Sequence, residues 1–515
     1  TAGAKNVLIG NHAGFATTAS RKIFMGMTDN DSYGVGHNST GAENIAIGSN
    51  VAIKSGSGEK NIIMGSYAGE NNEDGNRGIM IGHQAGNKNT DGNDNINIGS
   101  YAGRDNVSGS QNINIGYNAG YDVATDKNYN IAIGSEAGTS LENDKIICIG
   151  YRAGMVSTTG EDNIFVGSNA GVANVGGTKN IYMGADSAKV AVSANQNVVV
   201  GHNSGSALTG NDNILMGYKA GEDITSGDDN VVIGSNAIST STGGASSCIV
   251  IGANAGLVNQ VDGNMFIGKD AGLANSNGTV NMFIGTDAGG RRVIDTDNIF
   301  IGEKAGYGSL VFTYNYTKTD IYNHGNYNIC IGKSSGELLT TGYANIFIGS
   351  QAGLSAGTSN QNICIGREVG QNLTNTIFNI LIGPGCGVKN TTGQENVMIG
   401  ADAAKENVTG DINIYMGHAA GGLHSIDDNN IFIGGSSGYG DNSFDYTYTA
   451  TSGVKVNSDH GNTNIGIGYQ TGYNLTTGFA NTFIGNAAGY PTSTGERNIS
   501  IGNIAGYSMT TGSDN

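Results

Sequence analysis

The chain is predicted to be an all-β parallel solenoid, a β-roll of coils about 17 residues long, and three observations carry that prediction. The pentad Asn-Ile-x-Ile-Gly recurs about 28 times between Asn6 and Gly502, at a step of about 17 residues. Two glycine corners divide the consensus unit. Between the corners no stretch is long enough for a helix.

The pentad is the first element of the unit. Its second and fourth positions are Ile, Val or Met almost throughout, with Thr482 as the polar exception. That two-residue period marks a strand with one buried face. Runs such as Asn328, Asn345, Asn362, Asn379, Asn396, Asn413 and Asn430 hold the step without slippage. The first corner follows the pentad, as at Ala68-Gly69, Ala102-Gly103 and Ala352-Gly353, and the second precedes the next Asn, as at Gly41, Gly160, Gly342 and Gly478. Glycine supplies the positive φ that such corners need. The unit reads as two short strands and two turns, and stacking at about 4.8 Å per coil predicts a rod on the order of 130 Å long.

Composition agrees. The 515 residues include 87 Gly, 2 Pro and no Trp, and only 13% are charged. The glycines follow no three-residue period, which excludes collagen, and the recurring aliphatics exclude disorder. A net charge of −18 lacks the basic footprint of a nucleic-acid partner. No apolar run approaches the roughly 20 residues of a membrane span, so no membrane insertion is expected of this segment. Five cysteines form no disulfide framework. Cys148, Cys330 and Cys364 fill the third pentad position, Cys248 an Asn position and Cys386 a turn, and all read as small buried residues.

The third pentad position points away from the two aliphatics. It holds an aromatic at Phe24, Phe165, Tyr182, Phe266, Phe283, Phe300, Phe347, Tyr415, Phe432 and Phe483. On a nominal outer face such a stripe marks an interface with other chains, and Phe165, Phe266, Phe283, Phe300, Phe347, Phe432 and Phe483 are its expected residues. The alternative is that these rings pack beneath the opposite strand of their own coil. A coil this thin has little interior, so the expected partner is the chain itself, as a homotrimer or higher bundle. The pentad Asn shares the face of the third position and is expected to form an amide ladder from coil to coil, replaced only at scattered places such as Lys22, Gly78, Ile146 and Cys248.

These residues resemble a known family. Asn44-Ile-Ala-Ile-Gly48 and Asn130-Ile-Ala-Ile-Gly134 are similar to the repeats in the heads of trimeric autotransporter adhesins, and the resemblance implies a left-handed parallel β-roll and a trimer. Asn481-Thr-Phe-Ile-Gly-Asn-Ala-Ala-Gly489 resembles the repeats of bacterial surface proteins and of phage or giant-virus tail-fibre-like proteins. The unit here is longer than the usual adhesin coil, and no stalk, anchor or self-cleaving domain is visible.

The expected organisation is solenoid repeats over residues 1–302 with a short interruption at 27–43, a Tyr-rich excursion over 303–327, repeats over 328–434, a second excursion over 435–463, and repeats over 464–515 that continue beyond the ends. The two excursions resemble each other. Each alternates aromatics with Thr and Asn and leads into His-Gly-Asn, so Tyr314, Tyr316, Tyr446 and Tyr448 are the candidate contacts to a receptor, a host glycan or surface protein, or a neighbouring fibre.

Acidic clusters at Glu73-Asp74, Asp91 with Asp94, Asp228-Asp229 and Asp427-Asp428 read as solvated turns, and calcium is not favoured because the nonapeptide that builds solenoid calcium sites is missing. His83 and His202 share a repeat position but lie seven coils apart, too far to share a metal. No catalytic set stands out from the repeat, so no enzyme activity and no cofactor are expected. The expected function is a structural or adhesive fibre on a cell or virion surface. The alternative is an ice-binding solenoid, and a polysaccharide-degrading β-helix is less favoured.

Overall fold

The computed structural model describes all residues except 1–4, 15–16, 28–34, 37–38, 52–55, 123–125, 158, 241–243, 309–324, 425 and 441–462. Tyr314, Tyr316, Tyr446 and Tyr448 lie outside the described residues. The chain divides into two units, Thr1–Asn254 and Ala255–Asn515.

Both units are parallel β-solenoids. In the first, fifteen three-residue strands run from Val7–Ile9 to Ile249–Ile251; in the second, thirteen run from Met265–Ile267 to Ile499–Ile501. Each strand is the centre of a pentad and pairs in parallel with its neighbour, residue on equivalent residue, as in Ile346↔Ile363, Phe347↔Cys364 and Ile348↔Ile365. The step of 17 residues is therefore the height of one coil.

The expected second strand of each unit is absent from nearly all described coils. Only Ser140–Leu141 and Val156–Ser157 form such a pair. Elsewhere the chain bends through two left-handed residues in quick succession, for example Gln351 (φ 59°) and Gly353 (φ 57°), which breaks the extended conformation. Coil-to-coil bonding still continues there, as in Ser355 N–H to Gln371 O at 2.9 Å.

The strand faces the other way from the sequence expectation. The third pentad position is buried in the interior of its own coil, and the second and fourth are the half-exposed ones, as the Ile-Phe-Ile strand at Ile346–Ile348 shows. Phe165, Phe266, Phe283, Phe300, Phe347, Phe432 and Phe483 are all 0% exposed within one chain, so they present nothing to a second chain. This corrects their assignment as an oligomer interface. The physical reason is the Asn. It shares the third position's face, and its amide finds partners only inside: Asn345 Nδ2 donates to Asn328 Oδ1 at 3.0 Å and to Ser359 O across the coil at 2.7 Å. Asn345 N–H donates to the same Asn328 Oδ1 at 3.0 Å. Buried amides must be satisfied, so the Asn ladder turns inward and carries the third position with it.

The small corner residues make room for the rings. A Cβ on Gly353 would come within 2.8 Å of the Phe347 ring. Consecutive rings then stack: Phe266, Phe283 and Phe300 have centroids 5.1 and 4.9 Å apart, with planes tilted by 23° and 11°.

Lys22 stands in an Asn position and is buried. Its ammonium donates to Thr17 Oγ1 at 2.5 Å, Ser39 O at 2.7 Å and Ser39 Oγ at 2.9 Å. Burial lowers its pKa from 10.5 to about 8. Between those values the unfolded chain holds a proton that the folded chain has lost, so folding stability rises with pH across that window. The melting of the first coils is expected to shift upward between pH 7.5 and 10, by on the order of 1–2 kcal/mol after solvent screening, and the Lys22→Asn variant is expected to lose that pH dependence. Equal slopes in thermal melts of both proteins would contradict this.

Candidate interaction surface

With the rings and the Asn ladder inside, the outward side of the sheet is made of the second and fourth pentad positions. Each unit thus carries two parallel columns of Ile, Val and Met. Met183 is 42% exposed, Ile214 39%, Ile365 37% and Ile380 36%, in strands whose central residues are fully buried. The β-branched majority of these side chains is stiff, and in-register pairing sets each one above its equivalent. Their polar neighbours are the glycine and Asn backbone, already committed to coil-to-coil bonds such as Gly366 N–H to Ile348 O at 2.8 Å.

The first corners carry a second surface feature. In the first unit Tyr67, His83, Tyr101 and Tyr117 meet edge to face, with centroids 6.2, 5.2 and 6.1 Å apart, and the Arg104 guanidinium lies 3.9 Å from the Tyr121 ring. In the second unit Tyr439, Tyr473, Tyr490 and Tyr507 stack face to face at 5.3, 5.1 and 5.9 Å. Neither group stands out as a site in the sequence, although Tyr439, Tyr473, Tyr490 and Tyr507 all lie nine residues after a pentad Asn. Because the rings of the second group cover each other's faces, that column is a self-satisfied stack.

Most of the acidic corner residues are engaged with partners within the chain. Asp74 accepts from Ser57 Oγ at 2.6 Å, which holds its pKa below the usual carboxylate range; Asp94 pairs with Arg77, with the same effect. Asp228 accepts the Asn211 N–H. Asp427 is buried and paired with His424, which corrects its reading as part of a solvated turn. Among the described residues no group of three or more His, Cys, Asp or Glu is placed to hold a metal ion. All five cysteines are buried free thiols, and desolvation pushes Cys330 and Cys386 up to about 12, far from a reactive thiolate. Among the described residues no helix is long and apolar enough to cross a membrane.

The threonines of the second corner make no free array. The hydroxyls of Thr340, Thr374 and Thr391 donate to the carbonyls of Gly357, Thr391 and Val408 in the following coil at 2.8, 3.0 and 3.1 Å. Gly357 and Val408 themselves interrupt the column.

The class that this geometry defines is the parallel β-solenoid with an aliphatic outer sheet face. No protein-family model matches the chain, and no curated protein sequence matches it.

Proposed function

We propose that the chain is a structural or adhesive subunit of an extracellular fibre on a cell or virion surface, assembling with copies of itself along its aliphatic sheet face as a homotrimer or higher bundle. The observation that carries this reading is the pair of half-exposed Ile, Val and Met columns outside a coil whose own interior is complete. Among thirteen strands these columns expose on the order of 1,000 Å² of apolar surface, above the roughly 800 Å² per partner of a standard stable interface. Stiff side chains at a regular spacing lose little entropy on docking. Repetition along one direction gives length, and the Tyr-rich segments of residues 303–327 and 435–463 are the places in this reading where a receptor or glycan is bound.

The test is the mass of the particle in solution. Light scattering on a sizing column is expected to give a multiple of the chain mass for the unaltered protein. The double variant Ile365→Lys with Ile382→Glu places opposite charges on neighbouring strand positions, so the coil keeps its pairing while the face becomes charged. Association is expected to weaken at least about 100-fold, with an unchanged far-ultraviolet spectrum. A monomer at tens of micromolar before any substitution would overturn the assembly.

A further inference from the structure

We infer that Arg292 is a clasp that closes the solenoid wall across an inserted segment, and that His424 with Asp427 holds the equivalent place one coil before the second insertion. Among the described residues the buried side chains of Lys, Arg, His, Asp and Glu type are Lys22, Arg292, Asp295, His424 and Asp427. Every one of them lies in, or one coil before, a coil whose length departs from the repeat. Lys22 opens the coil that contains the interruption before Asn44. Arg292 and Asp295 lie one coil before the 30-residue step from Asn298 to Asn328, and His424 and Asp427 one coil before the 34-residue step from Asn430 to Asn464.

The bonding explains the coincidence. In an ordinary coil the N–H of Leu339 donates to Gly336 O at 3.0 Å, and the N–H of Thr340 donates to Gly357 O in the next coil at 2.8 Å. The equivalent acceptors around the coil that opens at Asn298 are Gly306 O and Thr340 O. There Arg292 reaches the corresponding acceptors from below: Nε donates to Gly306 O at 2.9 Å and Nη1 to Thr340 O at 3.0 Å, while Nη2 donates to Leu339 O at 2.7 Å. The last two bonds span the inserted coil completely. Nη1 also donates to Asp295 at 2.5 Å, which compensates the buried charge. The guanidinium lies over the Phe300 ring at 5.5 Å, and a Cβ on Gly325, where the described chain resumes, would collide with it.

The place beside the second insertion repeats the ring stack, the acidic partner and the tyrosine, but not the bonds to the carbonyls. The His424 ring stacks on Phe432 at 5.3 Å, as Arg292 does on Phe300, and its Nδ1 pairs with the Asp427 carboxylate. Tyr439 lies against Gly422 as Tyr307 lies against Gly290. Leu475 and Thr476 take the places of Leu339 and Thr340. A planar five-donor cation suits several carbonyls at once, whereas the imidazole has one nitrogen on Asp427 and its Nε2 buried with no partner among the described residues. This inference rests on the fold alone and not on the fibre reading.

The test couples the clasp to the insertion. The variant Arg292→Leu with Asp295→Gly installs the residue types of ordinary coils and leaves no unpaired charge. In the full chain it is expected to speed amide exchange at Gly308 and Leu338 ten-fold or more, with coils around Asn396 unchanged. In a chain lacking residues 309–321, which returns this coil to the 17-residue step, the same pair of substitutions is expected to change exchange less than two-fold. Equal effects in both chains would show a buried ion pair unrelated to the insertion and overturn the clasp. Unchanged exchange in the full chain would overturn it as well.

Discussion

Replacing Gly366 with alanine is expected to open the solenoid at one coil, at a cost of at least about 3 kcal/mol. The pentad glycine has φ 143°, outside the range of residues with a side chain, and a Cβ there would lie 2.7 Å from both the carbonyl carbon and the carbonyl oxygen of Gly383 in the next coil. Both clashing atoms are backbone, so no rotamer change relieves them. Relief requires the coils to separate, which breaks bonds such as Gly383 N–H to Ile365 O at 2.8 Å. In a linear array each coil is held only by its neighbours, so the damage stays local but divides the stack. Hydrogen exchange is expected to show lost protection from about Asn345 to Asn396 and native protection near Asn481. Uniform native protection in the alanine variant would refute the claim that this close approach requires glycine.

Phe283→Ala is the second large effect, expected to destabilise its coils by about 3–5 kcal/mol. The ring is fully buried between Phe266 and Phe300, at 5.1 and 4.9 Å, and packs over the small corner of its own coil, where a Cβ on Gly289 would come within 2.5 Å of it. Backbone pairing fixes the coil spacing, so the neighbouring rings have little freedom to collapse into the void. A substitution on the outward side tests the parity of the strand directly. Met282→Ala, one residue away, is expected to cost less than about 1 kcal/mol in the monomeric chain, because its side chain is only half buried. A larger loss at Met282 than at Phe283 would reverse the assignment of inside and outside.

These two residues also show where reading the sequence stopped short. Alternation along Asn-Ile-x-Ile-Gly is equally compatible with either face turned inward. Hydrophobicity favoured burying Ile, because Ile is constant and the third position variable, from Gly466 through Ala132 and Cys148 to Phe283. The informative signal was the recurring Asn and the recurring small residues of the first corner. An amide repeated in coil after coil needs an interior acceptor in each of those coils, and a corner held small leaves space for rings to lie across it. Variation in the third position reflects local filling of that space, and the aromatic stripe is the core of the coil.

The buried cations were legible in part. Lys22 was visible as a departure from the Asn column, but Arg292 and His424 sit at a position that other coils fill with varied residues such as Asn, Leu, Ala, Ile and Thr, and Asp427 resembled any acidic corner. Their roles depend on contacts across a coil of unequal length. Arg292 meets Leu339 O 47 residues along the chain, and no local pattern announces such a bond.

By itself the sequence determined the period, the positions of both corners, the amide ladder from coil to coil and the parallel stacking of coils, because short-range spacing and the conformational needs of Asn and Gly suffice for these. Only the tertiary structure decided which columns face water and how the wall is closed beside an insertion. Both depend on closure of the coil, where Asn345 must reach Ser359 O and Phe347 must fit over Gly353, and closure is a property of the stacked chain and not of any one repeat.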